Sequence, residues 1–293
     1  HRDLHSFPTR RSSDLFNEYY PENVITMKFE HWREYVENIR EWSVKHDLKA
    51  VIGVDEESIV LAANLSEFLG IGHNSLESVE LTKNKYLMRK ALKDSGLKSP
   101  WFKRFSVHET AKDIFAEINL PCVLKPTFLS ASQGVVRVNS IEEFCRVFEM
   151  LSEFLSQAEI KKQGGEQANW ILVEEYISGK EVSIEGIVNE GKLKELAIFD
   201  KPETLEGPTF PETIFITPTI LPEKLQVSLL ETAQTALETL GIIKGPVHVE
   251  LRINVNGNYI LECAARSIGG LCSKVLEFKR SEEHTSELQS HLN

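Results

Sequence analysis

Apolar and polar residues alternate near the end of the chain in a pattern that predicts a β-hairpin. The run from Val247 to Ile253 alternates apolar and polar positions, and a second run covers Asn258 to Glu262. The segment Val255-Asn256-Gly257 lies between the two runs. Period-two alternation on both sides of an Asn-Gly pair is typical of two antiparallel strands joined by a tight turn.

The expected register of this hairpin brings two glutamates face to face. A three-residue loop predicts that Asn254 pairs with Asn258, and this register places Glu250 directly opposite Glu262. Like charges in that position are destabilising, and a divalent cation would offset the repulsion because Mg²⁺ is held by one or two carboxylates together with phosphates. A two-residue loop would instead put the glutamates on opposite faces. The alternative interpretation is a surface hairpin whose glutamates are solvated.

The remaining periodicity predicts helices that alternate with short strands. Helical spacing of apolar residues predicts helices at 30–46, 57–69, 81–95, 141–155 and 225–240. Short apolar runs predict strands at 50–54, 121–126, 170–175, 181–188 and 192–199. A mobile loop is predicted at 157–169 and a long loop at 205–222. The strand at 50–54, flanked by helices, indicates part of a doubly wound α/β unit.

Both ends of the chain lack hydrophobic periodicity. Residues 5–15 and 280–291 resemble translations of common sequencing-adapter DNA, so we exclude 1–15 and 280–293 from the fold prediction. We expect the portion between them to be incomplete at both of its ends.

Composition excludes several functional classes. The formal net charge at pH 7 is −11, which argues against a protein that binds nucleic acid through its phosphates. No apolar run approaches the roughly 20 residues of a membrane span, and no signal peptide is visible. The scattered cysteines form no C-x-x-C pair, which fits a reduced cytoplasmic protein with small packed thiols.

Cations and small residues occur at positions that could bind an anion. Lys85 and Arg89 lie four residues apart on one predicted helix, and Lys125 ends an apolar strand. The small-residue loop from Ser130 to Gly134 follows that strand, and such a loop can bring backbone N–H groups close to phosphates. The alternatives are a solvated basic face and an ordinary hairpin loop, and the chain contains neither a P-loop nor a G-x-G-x-x-G motif.

The order and spacing of these motifs resemble the ATP-grasp superfamily of ligases over roughly residues 51–276. The segment from Asn84 to Gly96 is similar to the family's phosphate-binding helix, and the strand ending in Lys125 is similar to its second-lysine strand. The resemblance implies that Lys85 and Lys125 contact the phosphates of ATP. It also implies that the loop containing Ser130, Ser132 and Gly134 covers those phosphates.

The segment from Glu174 to Glu181 is similar to the family's adenine hinge. The resemblance implies that Glu174 and the backbone of Glu175 and Ile177 contact adenine. It implies that Glu181 accepts hydrogen bonds from the ribose hydroxyls.

Glu250 and Glu262 have the spacing of the family's two Mg²⁺-binding glutamates. Arg266 matches the arginine that follows them, and the resemblance implies that it contacts the reacting carboxylate or its acyl-phosphate. Ala264 stands where the family often has an asparagine ligand. We interpret His248, on the same predicted strand as Glu250, as a packed rather than a catalytic histidine.

The fold class implied by the resemblance is α/β (α+β), with two α+β subdomains that grip ATP. We predict a partial Rossmann-like pre-ATP-grasp domain at 16–80 and the ATP-grasp domain at 81–279. Within the latter, we predict a central lid subdomain at about 120–178 and a C-terminal subdomain at about 179–279.

The implied function is ATP- and Mg²⁺-dependent ligation of a carboxylate to an amine through an acyl-phosphate. Segments 199–202 and 207–208, together with Glu212 and 266–270, resemble the amino-acid ligase and carnosine-synthase-like branch. The expected partners are small-molecule carboxylates and amines, with no nucleic acid and no membrane, and a homodimer is compatible with the sequence. The alternatives are a non-catalytic ATP-binding module, which Ala264 favours, and a carboxylase or purine-pathway enzyme of the same superfamily.

Overall fold

The computed structural model describes residues 25–202, 206–211, 214–269 and 272. The adapter-like ends, Glu212 and Gly270 lie outside the described residues. The chain divides into two compact units, one ending at Lys49 and the other beginning at Ala50.

The first unit contains the predicted amphipathic helix. Its described part begins with a 3-10 helix at Phe29–Tyr35 and continues as the α-helix α1 at Val36–Lys45. The Trp42 ring stacks on His46 at 4.3 Å between centroids, at the end of this helix.

The second unit contains two antiparallel sheets and the helices that pack on them. Its helices are α2 at Ser58–Leu69, α3 at Leu76–Lys83, α4 at Lys85–Asp94, α5 at Ala111–Ile114, α6 at Ile141–Leu155, α7 at Ala158–Gly164 and α8 at Glu223–Thr239. Its strands are β1 at Phe102–Ser106, β2 at Cys122–Pro126, β3 at Val136–Val138, β4 at Trp170–Glu175, β5 at Lys180–Asn189, β6 at Lys192–Asp200, β7 at Lys244–Asn254 and β8 at Gly257–Ala264.

The first sheet has the strand order β1-β4-β2-β3 and packs on α6. The buried face of α6 presents Phe144, Phe148 and Leu151 to Leu124 of β2 and Ile171 of β4. Because β1 pairs with β4, this sheet extends upstream of residue 120.

The second sheet has the strand order β6-β5-β7-β8 and packs on α8 and α4. Val182 and Ile184 of β5 and Val249 of β7 face this helical layer, as period-two alternation predicts. The opposite face of β5 and β7 carries charged side chains that are also buried, including Glu185 and His248. This polar face forms part of the candidate site.

The β7–β8 hairpin places Glu250 opposite Glu262 as predicted, but its loop length and register differ from the prediction. Asn254 pairs with Gly257, so the loop has two residues and the expected pairing of 254 with 258 is wrong. A β-bulge between the Leu251–Ile260 and Glu250–Glu262 pairs adds one residue, Leu261, to β8. An extra residue reverses the face of everything beyond it, and the two glutamates therefore share one face.

The single helix predicted at 81–95 is wrong, because the chain breaks at Asn84 between α3 and α4. The Asn84 side chain accepts hydrogen bonds from the backbone N–H groups of Tyr86 and Leu87 at 3.1 and 3.2 Å. Asparagine is a favoured N-cap because its side chain satisfies N–H groups that have no partner within the helix. Lys85 therefore lies in the first turn of α4, and its backbone N–H bonds to Thr127 at 2.8 Å.

Two further predictions about local structure are wrong. Residues 50–54 form no strand, and Ile52 and Val54 are 59% and 72% exposed. A buried strand needs paired neighbours, and no described strand pairs with this run. Residues 157–169 are helical rather than a loop, forming α7 and a 3-10 turn at Gly165–Asn169. Ile160 packs on the core of the first sheet, and this tertiary contact outweighs the weak local signal.

We predict that Asn84→Ala lowers the free energy of unfolding by about 1 kcal/mol, because two N–H groups at the start of α4 lose their acceptor. Asn84→Asp keeps a capping oxygen and should differ little from the original protein. Urea denaturation of the three proteins measures the difference, and equal losses for alanine and aspartate would contradict the capping role.

Candidate functional site

A cleft runs between the polar face of the second sheet and the first sheet. It encloses about 840 Å³, including the part that is open to solvent, and this is within the size range of small-molecule sites. Most of the predicted site residues line it. These are Lys85, Lys125, Ser132, Glu174, Glu175, Ile177, Glu181, Glu250, Glu262 and Arg266. Ser130 and Gly134 are not among the lining residues.

The loop after β2 faces the cleft through Ala131 and Ser132. Both have positive φ, at 52° and 54°, a conformation that is uncommon outside glycine and is often found at functional loops. Gly134 has φ 71°, and a Cβ there would come within 2.9 Å of the Pro126 ring. Gly134 therefore lets the loop fold back on β2, while its neighbours present backbone to the cleft.

Glu174 is buried between two cations at the inner end of the cleft. Its Oε1 accepts a hydrogen bond from the Lys125 ammonium, and its Oε2 accepts one from Arg89 Nε at 2.8 Å. Burial alone would raise the pKa of this carboxyl, but Arg89 and Lys125 outweigh burial and lower the pKa to about 2. Glu174 is therefore ionised at neutral pH and neutralises part of the buried positive charge.

Arg89 connects this cluster to the bulge in β8. Its Nη1 donates to the Ile260 carbonyl at 2.5 Å, and its Nη2 donates to the Leu261 carbonyl at 3.0 Å. A bulge disrupts the ladder locally, and the guanidinium satisfies carbonyls at this point. Arg89 is 1% exposed, so the alternative interpretation of a solvated basic face does not hold for this residue.

The two facing glutamates are each paired with a cation. Lys85 Nζ lies 3.4 Å from Glu262 Oε2 and donates to the Leu129 carbonyl at 2.6 Å. Lys201 Nζ lies 3.0 Å from Glu250 Oε1. These lysines offset the repulsion that the sequence pattern implied. Despite burial, Lys201 and His248 hold the pKa of Glu250 well below its usual range.

Glu250 and Glu262 fit a magnesium ion that takes its other ligands from phosphate and water. Both side chains line the cleft and lie opposite each other on one face. Among the described residues, no three His, Cys, Asp or Glu side chains form a cluster that could hold a metal ion by themselves. Mg²⁺ is commonly bound in this incomplete way, with substrate phosphates completing its shell.

A row of alternating charges runs along β5 and β7. Arg252 Nε donates to Glu181 at 2.9 Å, and Lys201 Nζ donates to the other oxygen of Glu181 at 2.7 Å. Lys201 also contacts Glu250, and His248 Nε2 lies 3.2 Å from the same carboxylate. This row links the position predicted for ribose to the position predicted for the metal.

His248 is buried between two carboxylates. Its Nδ1 contacts the Glu185 carboxylate and its Nε2 contacts Glu250. Burial would lower the pKa of His248, but the hydrogen bonds to Glu185 and Glu250 raise it to about 10.

The predicted hinge presents backbone groups to the cleft. The Ile177 carbonyl accepts a hydrogen bond from Arg252 Nη1 at 2.7 Å, and no described residue accepts from the Ile177 N–H. The Glu175 N–H is bonded to the Trp101 carbonyl at 2.8 Å, so it is not available to a ligand. Tyr176 and Phe210 stack at 6.4 Å between centroids beside the hinge, and both line the cleft.

Arg266 lines the cleft. Its Nε donates to Glu56 at 2.6 Å, and its Nη1 donates to the Ser267 carbonyl at 3.0 Å. Sequence patterns did not predict the contact between Arg266 and Glu56.

Sequence patterns did not identify Lys201 or Arg252 as site residues, although Lys201 lies in the segment 199–202 that resembles the amino-acid ligase branch. Lys201 follows Asp200 at the end of β6, so it resembles Lys125 in ending a buried strand, and that signal was available. Arg252 lies two residues after Glu250 on β7, so period-two alternation places both side chains on one face. That pattern could have indicated Arg252 as a site residue. Arg89 was recognised only as a neighbour of Lys85, since nothing local reveals its partners Glu174 and Ile260.

Comparison with known families gives a match over residues 118–275 to the model of an ATP-grasp domain. The chain belongs to the ATP-grasp family. The α+β fold of two sheets that border one cleft agrees with this membership and with the predicted fold class.

Several ligases are similar to this ATP-grasp chain. It is 30% identical over 250 residues to the alanine–anticapsin ligase of Bacillus subtilis strain 168. The aligned region covers 80% of this chain and 52% of that protein. It is 26% identical over 235 residues to a D-alanine–D-alanine ligase of Francisella tularensis, covering 78% of this chain and 73% of that protein.

Among solved structures, it is similar to the L-amino acid ligase of Bacillus licheniformis, with a TM-score of 0.71 and 27% identity. That match covers 86% of this chain and 59% of the solved chain. This ATP-grasp chain therefore spans about half the length of the alanine–anticapsin ligase and somewhat more of the L-amino acid ligase. Within its described residues, no helix combines the length and apolar composition needed to cross a bilayer.

We predict that Glu174→Gln lowers the free energy of unfolding by about 3 kcal/mol at neutral pH, because Arg89 and Lys125 keep their burial but lose their counter-ion. A carboxyl whose folded pKa is lowered stabilises the fold above its ordinary pKa of 4.5 and loses that effect as the pH falls toward about 2. The difference between the two proteins should therefore shrink in acid.

Urea denaturation at several pH values measures this difference. The matched control is Glu175→Gln, which changes the neighbouring exposed glutamate and should cost much less. A constant difference across the acid range would contradict the assigned ion pairs.

Proposed function

We propose that this chain forms the nucleotide and phosphoryl-transfer part of an ATP- and Mg²⁺-dependent carboxylate–amine ligase. One observation supports this most strongly: Glu250 faces Glu262 in a cleft that also contains Lys85 and Lys125. Two carboxylates for a metal beside two buried lysines suit a polyphosphate better than a neutral ligand.

In this proposal, ATP extends along the cleft from the hinge to the facing glutamates. The Glu175 carbonyl and the Ile177 N–H contact adenine, and Glu181 accepts from the ribose hydroxyls. Glu174 holds Lys125 in place, and its two oxygens already have donors, so adenine would be a third partner. Lys85 and Lys125 contact the phosphates, and Ala131 and Ser132 cover them with backbone N–H groups.

The reaction requires positioning and charge neutralisation more than covalent help from the protein. A carboxylate oxygen attacks the γ-phosphorus, the bond to the ADP oxygen breaks, and an acyl-phosphate forms. An amine then attacks the acyl carbon, the bond to the phosphate oxygen breaks, and the amine loses a proton as the amide forms. Mg²⁺ on Glu250 and Glu262 would neutralise charge on the phosphates. Arg266 holds the carboxylate and then the acyl-phosphate with its planar donors.

Amino acids are the substrate class we propose for both partners. This is supported by the names of the similar proteins, which are an alanine–anticapsin ligase, an L-amino acid ligase and D-alanine–D-alanine ligases. The family's fold also serves other chemistry, since a biotin carboxylase is a structural neighbour at 17% identity.

A non-catalytic nucleotide-binding module is the second candidate. Ala264 favours it, because an alanine paired opposite His248 offers no side-chain ligand to a second metal. This candidate differs from the ligase in binding ATP without consuming it.

Hydroxylamine trapping distinguishes the two candidates. The protein is mixed with MgATP, hydroxylamine and single amino acids, and ADP and acyl-hydroxamate are measured. The ligase predicts hydroxamate with at least one acid. Nucleotide binding without hydroxamate for any acid would favour the binding module, and a failure to bind ATP would contradict both.

We predict that Glu250→Gln and Glu262→Gln each reduce Mg²⁺-dependent ADP formation by about 100-fold or more, since metal stabilisation of phosphoryl transfer is worth several kcal/mol. The matched control is Glu195→Gln on β6, an exposed glutamate outside the cleft. Turnover that is unchanged in either cleft variant would contradict the metal assignment.

A further inference from the structure

We propose that Glu185 is a positioning residue that holds the segment carrying Arg266 against β5. This inference rests on the proposed function, because the role of Arg266 toward a carboxylate is itself proposed. Glu185 is not among the residues that line the cleft, so it would act on the reaction only through the residues it holds.

The burial of Glu185 requires specific partners. The residue is 1% exposed, and a buried carboxylate is costly unless it is paired and hydrogen-bonded. Its two oxygens have different donors. Oε1 contacts His248 Nδ1, and Oε2 accepts a hydrogen bond from the backbone N–H of Ile268 at 2.9 Å.

The strands approach closely beside Glu185. The pairing of β5 with β6 shifts register between Glu185 and Gly186, and the extra residue, Leu196, lies on β6. A Cβ on Gly186 would come within 2.9 Å of the Lys194 carbonyl and 2.5 Å of the Leu193 side chain. The glycine after Glu185 therefore allows this close approach of β6.

The segment from Ala265 to Gly269 has little other support from the backbone. It follows the end of β8, it is irregular, and no backbone–backbone hydrogen bond holds it among the described residues. Arg266 bonds to its own neighbour Ser267 and to Glu56, and neither partner lies on the sheet. The segment is attached to the sheet by the bond from Ile268 to Glu185 and by the buried side chains of Ala265 and Ile268.

The other oxygen of Glu185 connects this attachment to the metal position. His248 bridges Glu185 and Glu250, so one carboxylate contacts both the Arg266 segment and the imidazole ring beside a predicted metal ligand. Misplacement of a substrate-holding group by about 1 Å can reduce a rate substantially. We therefore expect Glu185 to affect the use of the carboxylate more than the binding of ATP.

Glu185→Gln tests this with little change in size. Its amide has one acceptor oxygen, so it cannot accept from both the Ile268 N–H and a protonated His248 Nδ1. Glu185→Leu, of similar size, removes both acceptors and is measured beside it. Loss of a charge-assisted hydrogen bond predicts an increase of about tenfold in KM for the carboxylate, with ATP affinity nearly unchanged. Hydroxamate formation gives KM, and equilibrium binding gives the ATP affinity.

Hydrogen exchange of the apo protein provides a readout that does not depend on activity. Amides of the 265–269 segment should exchange about tenfold faster in Glu185→Gln, by the same lost hydrogen bond. Glu195→Gln, on the neighbouring strand and exposed, is the control and should match the original protein in both measurements. If the amide variant does not fold, Glu185→Asp keeps both acceptor oxygens on a shorter chain and is measured in the same way.

The outcomes separate this inference from the proposed function. Faster exchange with a selective rise in KM for the acid supports the positioning role. Unchanged exchange of the 265–269 amides in both Glu185→Gln and Glu185→Leu overturns it, and so does a parallel loss of affinity for ATP and acid, which a general structural role would give. If the original protein forms no hydroxamate with any acid, the proposed function fails, and the exchange comparison alone decides whether Glu185 holds the segment.

Discussion

The buried guanidinium of Arg89 is the interaction on which the cleft depends. It donates to Glu174 on β4 of the first sheet and to the Ile260 and Leu261 carbonyls on β8 of the second sheet. The bulge that it satisfies is the feature that returns Glu262 to the face of Glu250. One side chain therefore joins the two sheets and stabilises the register of the candidate metal ligands. An arginine suits this task because its fork of donors can serve a carboxylate and two carbonyls at once.

The cleft is electrostatically organised before any ligand enters. Lys85 pairs with Glu262, Lys201 pairs with Glu250, and Lys125 pairs with Glu174. A magnesium–nucleotide complex carries both a cation and anionic phosphates. The metal can therefore pair with the glutamates and the phosphates with the lysines, in place of the ion pairs within the protein. Preorganised charges of this kind cost little reorganisation during a reaction. They also explain why the polar face of β5 and β7 is buried without being unstable, since paired and hydrogen-bonded charges are tolerated inside proteins.

Sequence patterns predicted what is local and failed where tertiary contacts decide. The helix at Ile141–Leu155 and the β5–β6 hairpin follow from periodicity alone. The pairing of Glu250 with Glu262 was predicted from a three-residue loop, whereas the structure reaches it through a two-residue loop and a bulge. The bulge leaves no local sequence signal, because the carbonyls it exposes bond to Arg89 on a helix far away in sequence. At 50–54 the local pattern predicted a buried strand that does not form, since these apolar residues have no described strand to pair with. The family resemblance brought most cleft residues together, but it placed Lys201 only within the segment 199–202 and did not predict its contacts with Glu181 and Glu250, which are 20 and 49 residues away.

Manganese binding in the presence and absence of ADP tests the central claim most directly. Mn²⁺ replaces Mg²⁺ as a paramagnetic probe, and its free concentration is measured by electron paramagnetic resonance. Two facing carboxylates, with no third protein ligand among the described residues, predict weak Mn²⁺ binding alone and much tighter binding with ADP. Both should be lost in Glu262→Gln. Equal Mn²⁺ binding with and without nucleotide, or binding that survives loss of Glu262, would contradict the account of the cleft as a magnesium–nucleotide site.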